Sequence, residues 1–254
     1  MSEPSRSVFL ESPGIRVFAH RGLAGEAPEN TLLAFLTALS AGATHLETDV
    51  HASLDAVAVI SHDPDLARVG RDVRVNQLTM AELERVNLGN GQFFPSLPEA
   101  LDAFPEALFN IDVKCDEAVV PTAQAILAAR ATERVLITSF SEERRRRACD
   151  LLPGVATSAS SQGVAKALVA ASLGPTDVLR RVLRGITAVQ VPERVGPLRI
   201  VTPRFVRRMH EVGVEVHVWT VNDVLAMRRL LDIGVDGLVT DRTEVAVALV
   251  AERS

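Results

Sequence analysis

The 254-residue chain has only two cysteines, Cys115 and Cys149. That is too few for a disulfide framework, and neither has a partner at CxxC spacing, so both read as reduced structural thiols. No apolar run approaches the roughly 20 residues that a membrane span requires. A formal charge of -5 offers no basic field for nucleic acid. The N-terminal stretch MSEPSRSVFLESPGIRVF has no basic region followed by an uninterrupted apolar one, so no signal peptide is expected and the cytoplasm is the expected compartment. Internal repeats and low-complexity linkers are also absent, which leaves a single domain over 1–254 as the expectation. Lysine is scarce: of 27 basic residues only Lys114 and Lys166 are lysines. Arginine serves wherever a generic positive charge suffices, so a lysine here marks a position with a further requirement.

What the chain does have is alternation. Short β-branched runs at Ile15–Ala19, Thr44–Val50, Val57–Ser61, Leu108–Val113, Val135–Ser139, Val155–Ala159, Thr187–Val191, Val214–Thr220 and Gly237–Thr240 are separated by stretches such as TLLAFLTALSAG and NDVLAMRRLLDIG, which open on Thr or Asn and close on Gly. This is the βα order of a parallel sheet. Nine strands are one too many for a (β/α)8 TIM barrel, but the six residues between Val50 and Val57 are too few for a parallel crossover, which needs about a dozen. The third run therefore folds back as a hairpin, with its bend around Leu54–Val57 and His62 returning opposite Asp49. An insertion over about 51–95 then lies over the barrel mouth without a core of its own.

In such a barrel the chemistry sits at the C-terminal ends of the strands, because the interior below is packed with side chains. The first strand ends in His20-Arg21, the second carries Glu47 and Asp49, the hairpin returns at His62, the next strand ends in Asp112 and Lys114, and another ends at Trp219. Residues two apart share a strand face, so Glu47 and Asp49 point together, as do Asp112 and Lys114. Three converging carboxylates are costly to bury without a cation, and oxygen-only ligation suits one divalent Mg²⁺ or Ca²⁺ ion. His20 and His62 suit acid–base work near neutral pH. His45, His51, His210 and His217 read instead as core, rim or surface residues. Asn30 or Thr31 is placed to cap the first helix, whereas Glu29 has no capping role. The run Arg144–Arg147 beside Glu142 and Glu143 reads as a solvated helix face with local ion pairs.

The blocks AHRG…PENT, LETDV, ISHDPDLAR, LTMAEL, SLPEAL, NIDVK, SFSEE, VWTVND and GVDGLVTD resemble, in order, those of the glycerophosphodiester phosphodiesterases from about Val17 to Asp241. The resemblance implies a phosphodiesterase-type barrel that hydrolyses a small-molecule glycerophosphodiester to sn-glycerol 3-phosphate and an alcohol. It also implies His20 and His62 as catalytic acid and base, and Glu47 and Asp49 as metal ligands. Arg21 and Lys114 would hold phosphoryl oxygens, Glu29 and Asn30 would fix the first histidine loop and contact the site, and Trp219 would wall the glycerol side. Asp112 stands where the family commonly has glutamate as third metal ligand, and Asp55-Ala56 stands where Asp-Gly is usual. A lysophospholipase D-like activity on the same fold, or an inactive barrel kept as a binding module, are the alternatives.

Overall fold

The computed structural model describes residues 8–11, 14–25 and 27–253, so the first seven residues of the stretch examined for a signal peptide lie outside the described residues. The strands are β1 (Arg16–His20), β2 (His45–Ala52), β3 (Ala58–Ile60), β4 (Leu108–Val113), β5 (Val135–Thr138), β6 (Ala156–Thr157), β7 (Ala188–Pro192), β8 (Arg194–Val195), β9 (Leu198–Arg199), β10 (Glu215–Trp219) and β11 (Gly237–Thr240). Eight of them run parallel in the order β6-β5-β4-β2-β1-β11-β10-β7. The two ends of this sheet meet through a Ser158–Ala188 bridge. Ala159 N–H donates to Ala188 O at 3.0 Å and Thr187 N–H to Thr157 O at 2.9 Å across the same seam. The expected (β/α)8 barrel is therefore present.

Every residue of β2 and β4 is buried. One face of each strand fills the barrel and the other is roofed by helices such as Leu32–Ser40 and Val119–Ala128, so the sequence runs apolar without strict alternation. At the N-terminal end of the barrel, Phe9 enters from the short helix Val8–Glu11 and packs with Phe18, Leu108, Leu136 and Val239. His45 and His217 lie fully buried beside Phe18, and His210 stays exposed on an ion pair with Asp236, as their sequence context implied.

β3 does fold back antiparallel on β2, pairing Val50 with Ile60 and Ala52 with Ala58. The register differs by one from the expectation. Ser61, not His62, stands opposite Asp49, its N–H donating to Asp49 O at 3.0 Å. The cause is the length of the bend: Ser53 N–H bonds to Val57 O, leaving a three-residue loop closed by Ala56 at φ 58°, where a four-residue bend had been read. The insertion also departs from expectation, because Val59, Leu66, Val75, Met80, Leu83, Val86 and Phe94 form a small apolar cluster of their own. Arg145 corrects the reading of the arginine run. It is buried, bonded to both oxygens of Glu142 at 2.7 and 3.0 Å, since a helix face against the neighbouring strand cannot stay solvated.

His45 makes the fold sensitive to acid. Burial, with the nearby charge of Arg16, drives its pKa down to about 3, although Nε2 also contacts Phe9 O at 3.3 Å. A depressed folded pKa means that the unfolded chain takes the proton first, so this contribution is whole above about pH 6.5 and is lost as pH falls towards 3. Urea unfolding of wild type between pH 6 and 4 is expected to lose about 1.4 kcal/mol per pH unit more than a His45→Gln variant does. Equal slopes would mean that His45 titrates near its ordinary value in the fold.

Candidate active site

Strand register assembles the site. His20 pairs with Glu47 across β1 and β2, Glu47 with Asn110 and Asp49 with Asp112 across β2 and β4. Neighbouring strands lie about 4.8 Å apart, so these side chains must share one space. That space is a cavity of about 450 Å³ at the C-terminal strand ends, lined by His20, Arg21, Glu47, Asp49, His62, Asp112, Lys114 and Trp219.

The loop after β1 bends sharply. Arg21 and Gly22 both have positive φ, 57° and 81°. A Cβ on Gly22 would lie 2.7 Å from the Ala34 carbonyl carbon, so only glycine lets the loop seat on the following helix. The turn directs Arg21 N–H to Glu47 Oε2 at 3.0 Å. The Arg21 guanidinium sits between Glu29, 3.1 Å from Nη1, and Asp49, 3.1 Å from Nε. Asn30, not at a helix cap, donates to Asp49 Oδ2 at 3.2 Å and accepts from the Thr48 hydroxyl at 2.8 Å. Thr31 takes the cap, accepting from Ala34 N–H. Glu29 and Asn30 therefore face a smaller neighbouring cavity of about 150 Å³ and reach the main one only through Arg21 and Asp49.

The carboxylates divide unevenly. Lys114 Nζ lies 2.8 Å from both Asp49 Oδ1 and Asp112 Oδ2. Burial opposes ionisation of Asp49, but Lys114 and Arg21 outweigh it and hold its pKa below the usual range. For Asp112 burial prevails over Lys114 and the pKa rises; its Oδ1 is buried with no hydrogen-bond partner. Glu47 is pushed up to about 8 by burial and by the charge of Asp49. Burial opposes the charge on Lys114, yet Asp112 and Asp49 raise it to about 12. An oxygen-only donor set with an orphaned carboxylate oxygen and a carboxyl driven towards protonation suits a hard cation. Among the described residues no three such groups stand at ligand spacing, and Lys114 lies between two of the carboxylates.

Both histidines use Nδ1 on a carboxylate: His20 on Asp241 at 2.6 Å and His62 on Asp63 at 2.8 Å. Burial opposes protonation of His20, but the Asp241 bond and the charge of Glu47 raise its pKa above 6.5. His51, read as rim, contacts the His62 carbonyl through Nε2 at 3.2 Å.

The (β/α)8 barrel gathers two histidines and two fixed cations in one cavity at its C-terminal strand ends, a set compatible with chemistry on an anionic ester. The chain belongs to the glycerophosphoryl diester phosphodiesterase family, whose profile matches residues 20–245, and is with that family a phosphoric diester hydrolase. A relative named "Probable glycerophosphodiester phosphodiesterase 2" from Mycobacterium tuberculosis is 42% identical over 240 residues, covering 93% of this chain and 91% of the relative. A glycerophosphodiester phosphodiesterase structure from Thermotoga maritima superposes with TM-score 0.75 at 26% identity, covering 94% of this chain and 100% of its own. An Oleispira antarctica phosphodiesterase in complex with the product sn-glycerol-3-phosphate gives TM-score 0.78 at 23% identity, with coverage of 95% and 98%.

Several residues of the site escaped the sequence reading. Asp241 ends the block GVDGLVTD by the same strand-end criterion that found His20, and Asp63 directly follows His62. Phe140, in SFSEE, lines the cavity and meets the Trp219 ring edge-on at 6.1 Å between centroids. Arg68 of the insertion ion-pairs with Glu29 and lies 3.8 Å from Asp63.

Asn30 combines φ 57° with a buried carboxamide. Asn30→Gly keeps the backbone free but strands Thr48 and Asp49, which should cost about 1–3 kcal/mol by denaturant unfolding. Asn30→Ala should cost about 1 kcal/mol more, the penalty of a Cβ in the left-handed region. Equal losses would assign the whole effect to the carboxamide.

Proposed function

We propose that this cavity hydrolyses glycerophosphodiesters to sn-glycerol 3-phosphate and an alcohol. The observation that carries the reading is the meeting of His20 and His62 with Arg21 and Lys114 in one cavity walled by Glu47, Asp49 and Asp112. The product bound by the Oleispira antarctica structure supports it. So does the family match over residues 20–245, which spans the barrel strands from His20 to β11. We infer one barrel domain over the chain.

Arg21 and Lys114 take the non-bridging phosphoryl oxygens and stabilise the charge that builds on them as the phosphorus becomes five-coordinate. One histidine removes a proton from the nucleophile, which is water or the substrate's own hydroxyl. The other gives a proton to the departing alkoxide, so that protons balance over the cycle. Trp219 and Phe140 present apolar rings against the glycerol carbons. Glu29 and Asn30 act from behind, holding Arg21 and Asp49 in place. The family is in general divalent-metal dependent, and here Glu47, Asp49 and Asp112 would hold Mg²⁺ or Ca²⁺, whose contribution is Lewis-acid stabilisation of phosphoryl charge. Two unpaired thiols accord with a reducing, cytoplasmic setting, and no helix among the described residues is long and apolar enough to cross a membrane.

Purified protein given Mg²⁺, Ca²⁺ or Mn²⁺ should release sn-glycerol 3-phosphate from glycerophosphocholine, read by ³¹P NMR, and chelation with EDTA should cut turnover by about 10²-fold or more. Turnover of lysophosphatidylcholine alone would move the assignment to a lysophospholipase D. Inertness towards both, with every metal, would make the barrel a binding module.

Lys114 provides an independent test. Its ammonium fits between two carboxylates at 2.8 Å each, a place too small for a planar guanidinium. Lys114→Arg should lower kcat by about tenfold or more although the charge is kept, whereas Lys166→Arg, on an exposed helix position, should leave kcat unchanged. Equal tolerance at both positions would remove Lys114 from phosphoryl contact.

A further inference from the structure

Asp241 and Asn222 stand outside the residues so far given a chemical role, yet they form a fully bonded pair at the barrel mouth. β1 and β11 are neighbours in register, Ala19 beside Thr240, which places His20 next to Asp241 across 221 residues of sequence. Asp241 Oδ1 meets His20 Nδ1 at 2.6 Å. Its other oxygen, Oδ2, accepts from Asn222 Nδ2, also at 2.6 Å. Asn222 Oδ1 in turn accepts from Asp241 N–H at 2.9 Å and from the Thr240 hydroxyl at 3.0 Å. The carboxylate is thus fixed at both oxygens and the carboxamide at both ends, so neither plane can turn without breaking a bond. Asn222 is itself anchored where the chain leaves β10, since Val221 N–H bonds to Val239 O at 2.9 Å.

We propose that Asp241, clamped by Asn222, is a positioning residue that holds His20 in its Nδ1–H tautomer and leaves Nε2 free to exchange a proton with the reacting phosphodiester. A carboxylate has no proton to give, so the bond at Nδ1 requires N–H there and a lone pair at Nε2 of the neutral ring. Nε2 then stands on the cavity side, 4.0 Å from Glu47 Oε2. The His62 arrangement differs. Its Nδ1 partner, Asp63, is the adjacent residue and has only Arg68, at 3.8 Å, as a further charged neighbour among the described ion pairs. Both bonds favour Nδ1–H, but the carboxylate on His20 is the one clamped at its second oxygen by a side-chain amide, so the two histidines are oriented to different degrees.

The inference rests on the reading of His20 as a proton-transfer group, so His20→Ala belongs in the same experiment. In Asp241→Asn the amide can donate to Nδ1 and favour the Nε2–H tautomer, which blocks Nε2 as a base. The expected result is a fall in kcat of about 10²–10⁴-fold with KM nearly unchanged and the melting temperature close to wild type, while ¹⁵N chemical shifts of the ring report Nε2–H. Asp241→Glu, which restores the carboxylate, should recover about tenfold or more of that loss, and Asn222→Ala should give a smaller loss of about tenfold by freeing the carboxylate to rotate. An Asp241→Asn enzyme with normal kcat beside an inactive His20→Ala enzyme would overturn the positioning role and leave the His20 assignment standing. So would a His20 ring that remains Nδ1–H in Asp241→Asn. Normal turnover by His20→Ala would overturn both.

Discussion

Burial makes a lone carboxylate too costly to keep ionised, and the barrel mouth buries three of them. The contact that settles how they share the available charge is Lys114 between Asp49 and Asp112. One ammonium cannot neutralise three anions, so Asp49, with Arg21 and Asn30 also on its oxygens, stays ionised while Glu47 and Asp112 are driven towards protonation. Arg21 and Lys114 therefore stand beside one firmly ionised carboxylate, Asp49, and two that resist ionisation. On the reading proposed above, a divalent cation held by the carboxylates would supply the charge they lack and leave Arg21 and Lys114 available to phosphoryl oxygens.

The rest of the mouth serves to hold that charge arrangement still. Arg21 reaches Asp49 only because its own backbone is left-handed and Gly22 allows the loop to close on Ala34. Glu29 steadies the guanidinium from outside, and Arg68 links Glu29 to the insertion, so the loop bearing His20 and the segment bearing His62 are tied by one chain of ion pairs. The exposed end of that chain contributes little by itself in water, but the partly buried end is less screened. The insertion's own apolar cluster gives the exposed end a fixed base.

Much of this was legible in the sequence because parallel strands fix which side chains become neighbours. A period of two within a strand, together with the rule that chemistry sits at strand ends, brings His20, Glu47, Asp49, Asp112 and Lys114 to one place before any coordinates are known. What was not legible depended on lengths and backbone signs that composition does not carry. A bend of three residues instead of four moved Ser61 to the position read for His62, and His62 reaches the cavity only because the chain has left the β2 pairing by then. Asn30 looked like a helix cap because its residue type favours one. A left-handed φ turned it instead towards Asp49 and gave the cap to Thr31. Asp241 meets the strand-end rule as well, but nothing local marks its partner, which barrel closure brings from the far end of the chain.

The barrel interior adds a support that no strand-end rule reveals. Beneath the cavity a column of polar side chains descends towards the closed end: the Gln190 amide donates to Asn110 Oδ1 at 3.2 Å and accepts from Asn110 Nδ2 at 3.5 Å, Gln190 Nε2 meets His217 Nδ1 at 3.3 Å, His217 Nε2 meets Glu215 at 3.0 Å, and Glu215 pairs with Arg16 at 3.0 Å. The carboxylate at Nε2 requires a proton there, so Nδ1 is the acceptor and the Gln190 amide can point only one way. Gln190 then sets the Asn110 carboxamide, and Asn110 stands next to Glu47 in strand register and lines the cavity with it. In an apolar interior each unmade bond of this column would cost about 1–3 kcal/mol. The hydrogen-bond pattern of the column is accordingly a single one, running from Arg16 to the Asn110 carboxamide.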